Sequence, residues 1–130
     1  MKTPAMIKKV LLVEDNPIIL MYSEKMMLEL GFEVVGTAAN SLEALMVLYK
    51  KKPDLIFIDI GLSGSMDGIE VIKLIKTTYQ IPFIFVTGNS DPELIEKAES
   101  TDPLGIIYKP LDEIKLKEEF KRLKIRIPEI

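Results

Sequence analysis

The sequence predicts an α/β protein: a five-stranded parallel sheet with five helices, doubly wound in (βα)5 order. Three observations carry that expectation. Five short apolar runs, at residues 10–13, 32–38, 55–59, 83–86 and 105–110, alternate with five segments whose apolar residues recur at helical spacing. Such strict β-α alternation favours a parallel sheet with right-handed crossovers and helices on both faces. Four of the runs also end on residues able to do chemistry, at the strand ends where open α/β sheets gather ligands.

Residues 1–7 read as a short lead-in, and the first strand ends on Glu14 and Asp15. Asn16 and Pro17 then open a helix, because Asn accepts from free amides and Pro suits the first helical position. Ile19, Tyr22, Met26 and Leu30 recur at helical spacing, Gly31 supplies the stop, and 32–38 forms the second strand. Asn40 and Glu43 have capping-box spacing ahead of Leu42, Leu45 and Leu48. The second helix runs to the lysines at 50–52, whose charge suits a helix C-terminus, and Pro53 ends it. The third strand, 55–59, is apolar except for its last residue, Asp59. Gly61, Gly64 and Gly68 with two serines make the next segment a loop.

Ile69, Ile72 and Ile75 mark the third helix, and 83–86 the fourth strand, with Thr87 at its carboxyl end. Ser90 and Glu93 again have capping-box spacing, and Pro92 fits the first turn of a fourth helix ending near Glu99. Leu94, Ile95 and Ala98 give it a thin apolar stripe, so it is expected to be the least firmly anchored helix. The last strand puts Lys109 at its end, Leu116, Phe120 and Leu123 define the fifth helix, and 124–130 form a tail. No repeat or linker interrupts the run, which suits a single domain over 1–130.

Composition narrows the chemistry. At 130 residues the chain can bury a core without staples. It has no cysteine and no histidine, which excludes disulfides, thiol chemistry and the usual zinc ligand sets. Carboxylates, lysines and hydroxyls remain, and a metal would be of the hard, oxygen-ligand kind. A formal charge of −3 argues against general nucleic-acid binding. Lys115, Lys117, Lys121, Arg122, Lys124 and Arg126, interspersed with acids, read as a solvated helix face and tail. No apolar run approaches the roughly 18–20 residues of a membrane span, and no signal-peptide core is visible. A soluble, cytoplasmic protein is expected.

Glu14, Asp15, Asp59, Thr87 and Lys109 fall at the ends of different strands and so can converge. Two unit charges about 4 Å apart interact by roughly 4 kcal/mol at an effective dielectric of 20, so these acids must hold a proton or bind a cation. Mg²⁺ takes one or two carboxylates and keeps waters or phosphate. Such a site can present Asp59 as a nucleophile toward phosphorus, with Lys109 neutralising charge and Thr87 hydrogen-bonding a phosphoryl oxygen. Singly, each residue has a plainer role. Asp59 can be a loop acid, and Glu14 and Asp15 can favour a helix N-terminus by about 0.3–1 kcal/mol. Thr87 can be a simple β-former and Lys109 a solvated cation. The constellation as a whole favours chemistry.

The motifs LLVEDN, LIFIDI, MDGIE, IPFIFVTG and YKP, in that order at strand ends, resemble a receiver domain of two-component response regulators over nearly the whole chain. The resemblance, to the chemotaxis-regulator-like phosphoacceptor domains, implies a flavodoxin-like fold with strand order 2-1-3-4-5. By the same resemblance Glu14 and Asp15 are the acidic metal pair, Asp59 is the phosphoacceptor and a third metal ligand, and Gly61 offers its backbone carbonyl to the metal. Mg²⁺ is the implied cofactor, with Mn²⁺ as a substitute. Thr87 is the implied switch hydroxyl, Lys109 the charge partner of the phosphoryl group, and Pro110 follows a cis peptide bond.

The implied function is a phosphorelay switch, not an enzyme beyond self-phosphorylation and self-dephosphorylation. Implied partners are a histidine kinase or histidine phosphotransfer domain upstream and, downstream, a protein or parent-chain domain that meets the fourth helix, last strand and fifth helix. Direct nucleic-acid or membrane contact is not expected, and a weak homodimer is. Three departures stand out. Ile106 occupies a position ahead of the motif lysine that is often aromatic, the loop over 59–68 lacks the common Met-Pro pair and runs longer, and Gly61 and Asn89 put little bulk over the site. A haloacid-dehalogenase-like phosphohydrolase would need an acid where Gly61 stands. A flavodoxin-like FMN carrier would need a phosphate loop where the chain has Glu14, Asp15 and Asn16. The serious alternative is a phosphorylation-independent, receiver-like interaction module.

Overall fold

Residues 6–128 are described by the computed structural model, so 1–5 of the expected lead-in and 129–130 of the expected tail lie outside the described residues. In chain order the elements are β1 (Lys9–Val13), α1 (Pro17–Glu29), β2 (Glu33–Ala38), α2 (Ser41–Lys51), β3 (Leu55–Asp59), α3 (Gly68–Lys76), β4 (Phe83–Thr87), α4 (Pro92–Glu99), β5 (Gly105–Tyr108) and α5 (Glu113–Arg122). All pairings are parallel and the strand order is β2-β1-β3-β4-β5, as expected. β3 and β4 are buried at every position, which explains why they read as unbroken apolar runs: helices cover both of their faces. Among the described residues, no helix is long and apolar enough to cross a membrane.

Alternation along each strand divides the apolar residues between two cores. Leu11, Ile56, Ile58 and Phe85 point toward α2, α3 and α4, where they meet Leu48, Ile69, Ile72 and Ala98. Val10, Leu12, Phe57 and Ile84 point the other way, onto Met26, Met27, Leu116 and Phe120 of α1 and α5. The Phe120 ring takes edge contacts from Phe32 at 5.4 Å and Phe57 at 6.3 Å between centroids, an arrangement aromatic rings favour. α4 buries Ala98 alone among its residues, in keeping with its thin stripe.

Several local expectations are corrected. Tyr22 is 50% exposed and Leu42 68% exposed, whereas Ser23 and Ala44 face inward. Small residues share the inner faces of α1 and α2 with Met26, Met27 and Leu48, and the spacing of large apolar side chains does not reveal them. The cap of α4 is Asp91, whose side chain accepts from the Leu94 amide, and not Ser90. Pro92 at the first helical position makes the preceding residue the cap. At α2, Asn40 accepts from the Glu43 amide at 3.0 Å, but Glu43 Oε1 reaches past the cap to the Ala39 amide at 2.7 Å. A true capping box, with both hydrogen bonds present, joins Asp67 and Glu70 at α3. The expected tail is partly core: Ile125 is 4% exposed and joins the α1–α5 cluster. Gly31, at φ +93°, lies so close beneath the Pro128 carbonyl that a Cβ there would sit 1.8 Å from its oxygen.

Candidate functional site

Four adjacent parallel strands end at one edge, and their registers align the residues of interest. Asp59 pairs with Val86, and Thr87 with Tyr108, so Asp59, Thr87 and Lys109 follow one another across β3, β4 and β5. Glu14 and Asp15 leave β1 on the other side of β3. Asn16 fixes the turn between them and α1: its Oδ1 accepts from the Ile18 and Ile19 amides at 3.0 and 3.1 Å, and its own amide donates to Glu14 Oε2 at 3.1 Å. Gly68 brings α3 hard against the end of β3. A Cβ there would lie 2.2 Å from the Asp59 carbonyl oxygen, and the Gly68 amide donates to the Ile60 carbonyl at 2.8 Å.

Glu14, Asp15, Asp59 and Lys109 come together at this edge, and Thr87 borders the cleft it shares with Asp59 and Lys109. One carboxylate oxygen from each of Glu14, Asp15 and Asp59 lies within 4.8 Å of the others. Lys109 Nζ stands 3.3 Å from Glu14 Oε1 and 3.4 Å from Asp59 Oδ2, which leaves three carboxylates facing one ammonium. Its backbone amide donates to the Thr87 carbonyl at 2.8 Å, and the bond to Pro110 is cis. Thr87 Oγ1 donates to the Asn89 carbonyl at 3.1 Å and accepts from the Asn89 amide at 3.0 Å, so it is engaged with its own loop and not with Asp59. The recorded contact of Gly61 is its amide, 3.1 Å from Asp59 Oδ1.

Electrostatics follow from burial. Glu14 and Asp59 are each 7% exposed. Desolvation pushes the Glu14 carboxyl above its ordinary range and the nearby Asp59 adds to it, while the Asn16 amide and Lys109 work in the opposite sense. Asp15 behaves differently: the Ser63 hydroxyl and amide both donate to its Oδ2 and hold its carboxyl below the usual value. A set of hard oxygen donors with excess negative charge is the chemistry that Mg²⁺ or Mn²⁺ accepts, so these residues fit such an ion.

Two features went unread in the sequence. Ser63 lies far along the chain from Asp15, and no local spacing announces their contact. A second cavity of about 390 Å³, walled by Leu12, Ile19, Phe57, Val86 and Pro110, opens on the α1 side and reaches Glu14 and Asp59. The cleft on the other side, about 380 Å³, is bordered by Gly61, Thr87, Asn89 and Leu94. Asp59 and Lys109 border both. Ile106 is half-buried and packs on the α2–α4 core, and Tyr108 is 39% exposed on the edge strand.

Fold and site together define a response-regulator receiver domain: the profile of that family matches residues 10–121, and the chain belongs to it. Its members are regulatory switches of two-component signalling that bind Mg²⁺ in an acidic pocket and work with kinases and downstream partners. Among relatives, the Phyllosphere-induced regulator PhyR of Methylorubrum extorquens is 33% identical over 106 residues, 81% of this chain and 39% of its own length. The Sporulation initiation phosphotransferase F of Bacillus subtilis is 30% identical over 120 residues, 88% of this chain and 92% of its own length. A solved CheY-like response regulator receiver domain protein from Methanospirillum hungatei matches with a TM-score of 0.76 at 28% identity, covering 91% of this chain and 94% of that one. The chain spans 39–50% of the length of the first curated relatives it matches.

Proposed function

We propose that residues 1–130 form a single cytoplasmic receiver domain in which Asp59 accepts a phosphoryl group from a histidine kinase or histidine phosphotransfer domain. The observation that carries this reading is the Lys109 ammonium 3.4 Å from Asp59 Oδ2 at the mouth of a three-carboxylate cluster. An Asp59 carboxylate oxygen attacks phosphorus, the bond from phosphorus to the donor imidazole nitrogen breaks, and that nitrogen keeps the electron pair and takes up a proton. Mg²⁺ or Mn²⁺, held by Glu14, Asp15, Asp59 and the Gly61 carbonyl, would neutralise charge on the transferring group. Lys109 moves its contact from the Asp59 carboxylate to a phosphoryl oxygen.

Thr87 supplies the link to output. To donate to a phosphoryl oxygen it must give up the Asn89 carbonyl, and Asn89 Oδ1 accepts the amide of Asp91, the cap of α4, at 2.9 Å. Exchange at Thr87 therefore loosens the root of the helix with the least buried apolar surface. The surface of α4, β5 and α5 then changes, with Ile106 repacking as an aliphatic group and Tyr108 available to a downstream protein or parent-chain domain.

Intact-mass analysis after treatment with acetyl phosphate and Mg²⁺ tests the proposal. The wild type should gain one phosphoryl group, and Asp59→Asn none. A full adduct on Asp59→Asn would remove the site, and no adduct on wild type under conditions that modify other receivers would leave a phosphorylation-independent interaction module.

A further inference from the structure

Away from the cleft, α2 turns a large apolar stripe to solvent. Leu42 is 68%, Met46 51% and Tyr49 78% exposed, and their spacing sets them along one side of the helix, opposite the Ala44 and Leu48 that enter the core. Exposed apolar surface of this kind, rimmed by charge, marks an interaction site. β2, the neighbour of α2, is an edge strand. Between them a groove of about 280 Å³, lined by Val35, Thr37, Met46, Val47 and Lys50, continues the apolar surface.

The charges identify the occupant. Glu43 stands in the first turn of α2, and Lys50 and Lys51 in the last. Glu43 and Lys50 are one heptad apart, so they flank the stripe on the same side. In an antiparallel helix pair, flanking positions on the same side of the seam face each other, and charges there set partner and orientation. A two-fold axis beside Met46 brings Glu43 within about one residue's rise, 1.5 Å along the axis, of Lys50 of the partner subunit. The symmetry repeats the pair, with Met46 packed on Met46 of the partner subunit at the centre. α1 also exposes Ile18, Met21, Tyr22 and Leu28, but it has no acid in its first turn and no base in its last, and Lys25 interrupts the stripe. Of these two exposed apolar stripes, that of α2 carries the acid and the base that a second copy can pair with.

We propose that α2 is a self-association surface: two copies of the chain pack α2 against α2, antiparallel, through Leu42, Met46 and Tyr49 with reciprocal Glu43–Lys50 ion pairs. The contact does not involve Asp59. Three turns of helix bury less than the roughly 1,200–2,000 Å² of standard stable complexes, so the dimer is weak and concentration-dependent.

Sedimentation analysis of the full chain, from micromolar to millimolar protein, tests it. Wild type should pass reversibly from monomer to dimer, and Met46→Asp, on the solvent side of its helix, should stay monomeric with an unchanged thermal midpoint. Glu43→Lys and Lys50→Glu should each weaken the dimer roughly tenfold, because both ion pairs become like-charge contacts. An equimolar mixture of those two variants should recover wild-type affinity, since the opposite charges then meet across the interface at both ends. Met21→Asp on α1 and Asp59→Asn should dimerise as wild type does, so loss of the phosphoacceptor reading would leave this one standing. A wild type that remains monomeric, a Met46→Asp dimer, dependence on Met21, or a mixture no tighter than its components would each overturn the proposal.

Discussion

Glu14 bears the desolvation cost of the acidic cluster. Its folded pKa lies above the unfolded value, so between the ordinary 4.5 and the raised value the folded chain binds more protons, and stability falls as pH rises through that window. The penalty is fully present above it. In metal-free buffer Glu14→Gln should therefore raise the thermal midpoint at neutral pH by a few degrees, and the gain should shrink as pH falls toward the ordinary value. Thermal scans across pH check this, and a gain that is constant with pH would detach it from ionisation. Asp15 has the opposite sign. Its lowered pKa adds stability that is present above the unfolded 3.8 and is lost as pH falls through the folded value. Ser63→Ala removes the hydroxyl donor and should cost about 0.5 kcal/mol at neutral pH, after allowance for solvent screening at this partly exposed group. Denaturant melts should show that cost vanishing in acid.

At the scale of elements, the approach of α3 to β3 rests on a missing side chain. Gly68→Ala would force a methyl against the Asp59 and Ile60 backbone, at a cost of about 2–3 kcal/mol of overpacking, and would tilt Asp59 at the same time. Urea unfolding should report that loss, and, on the proposal that Asp59 is the phosphoacceptor, intact-mass time courses with acetyl phosphate should show slower uptake. This helix also shows where local reading stops. Asp67 and Glu70 have the same capping-box spacing that drew notice at Asn40 and Ser90, yet it is here that the box closes completely. Spacing identifies a pair that can cap, while the path of the preceding loop decides whether it does. Strand ends were legible for a stronger reason: β3 and β4 are covered on both faces, so each is an unbroken apolar run whose last residue, Asp59 or Thr87, stands out as its first polar one. The contacts of Ser63 with Asp15 and of Lys109 with Glu14 join residues 48 and 95 positions apart, which no short window can hold. Tyr22 and Leu42 misled because exposed and buried apolar residues share the same helical period.

Across the whole molecule, the size of the switch is bounded by energy. Reversing a 1:99 population to 99:1 takes about 5.5 kcal/mol of differential stabilisation, more than two phosphoryl contacts at Thr87 and Lys109 are expected to give, so a partial shift should result. Hydrogen exchange with and without beryllofluoride and Mg²⁺ should show changed protection over 89–99 and 105–108. β1 and the inner face of α1, tied to the opposite core, should change little. Changes confined to the loop over 59–68 would contradict coupling through Asn89.

The seat of Pro128 over Gly31 has one more effect. It holds residues 125–128 beside residues 6–8, at the amino edge of the sheet, while Asp59 lies at the carboxyl edge, a strand length of about 17 Å away. Residues 6–8 and 125–128 thus close over the amino edge together, and the carboxyl edge, where Asp59 and Lys109 stand, is left clear of both segments.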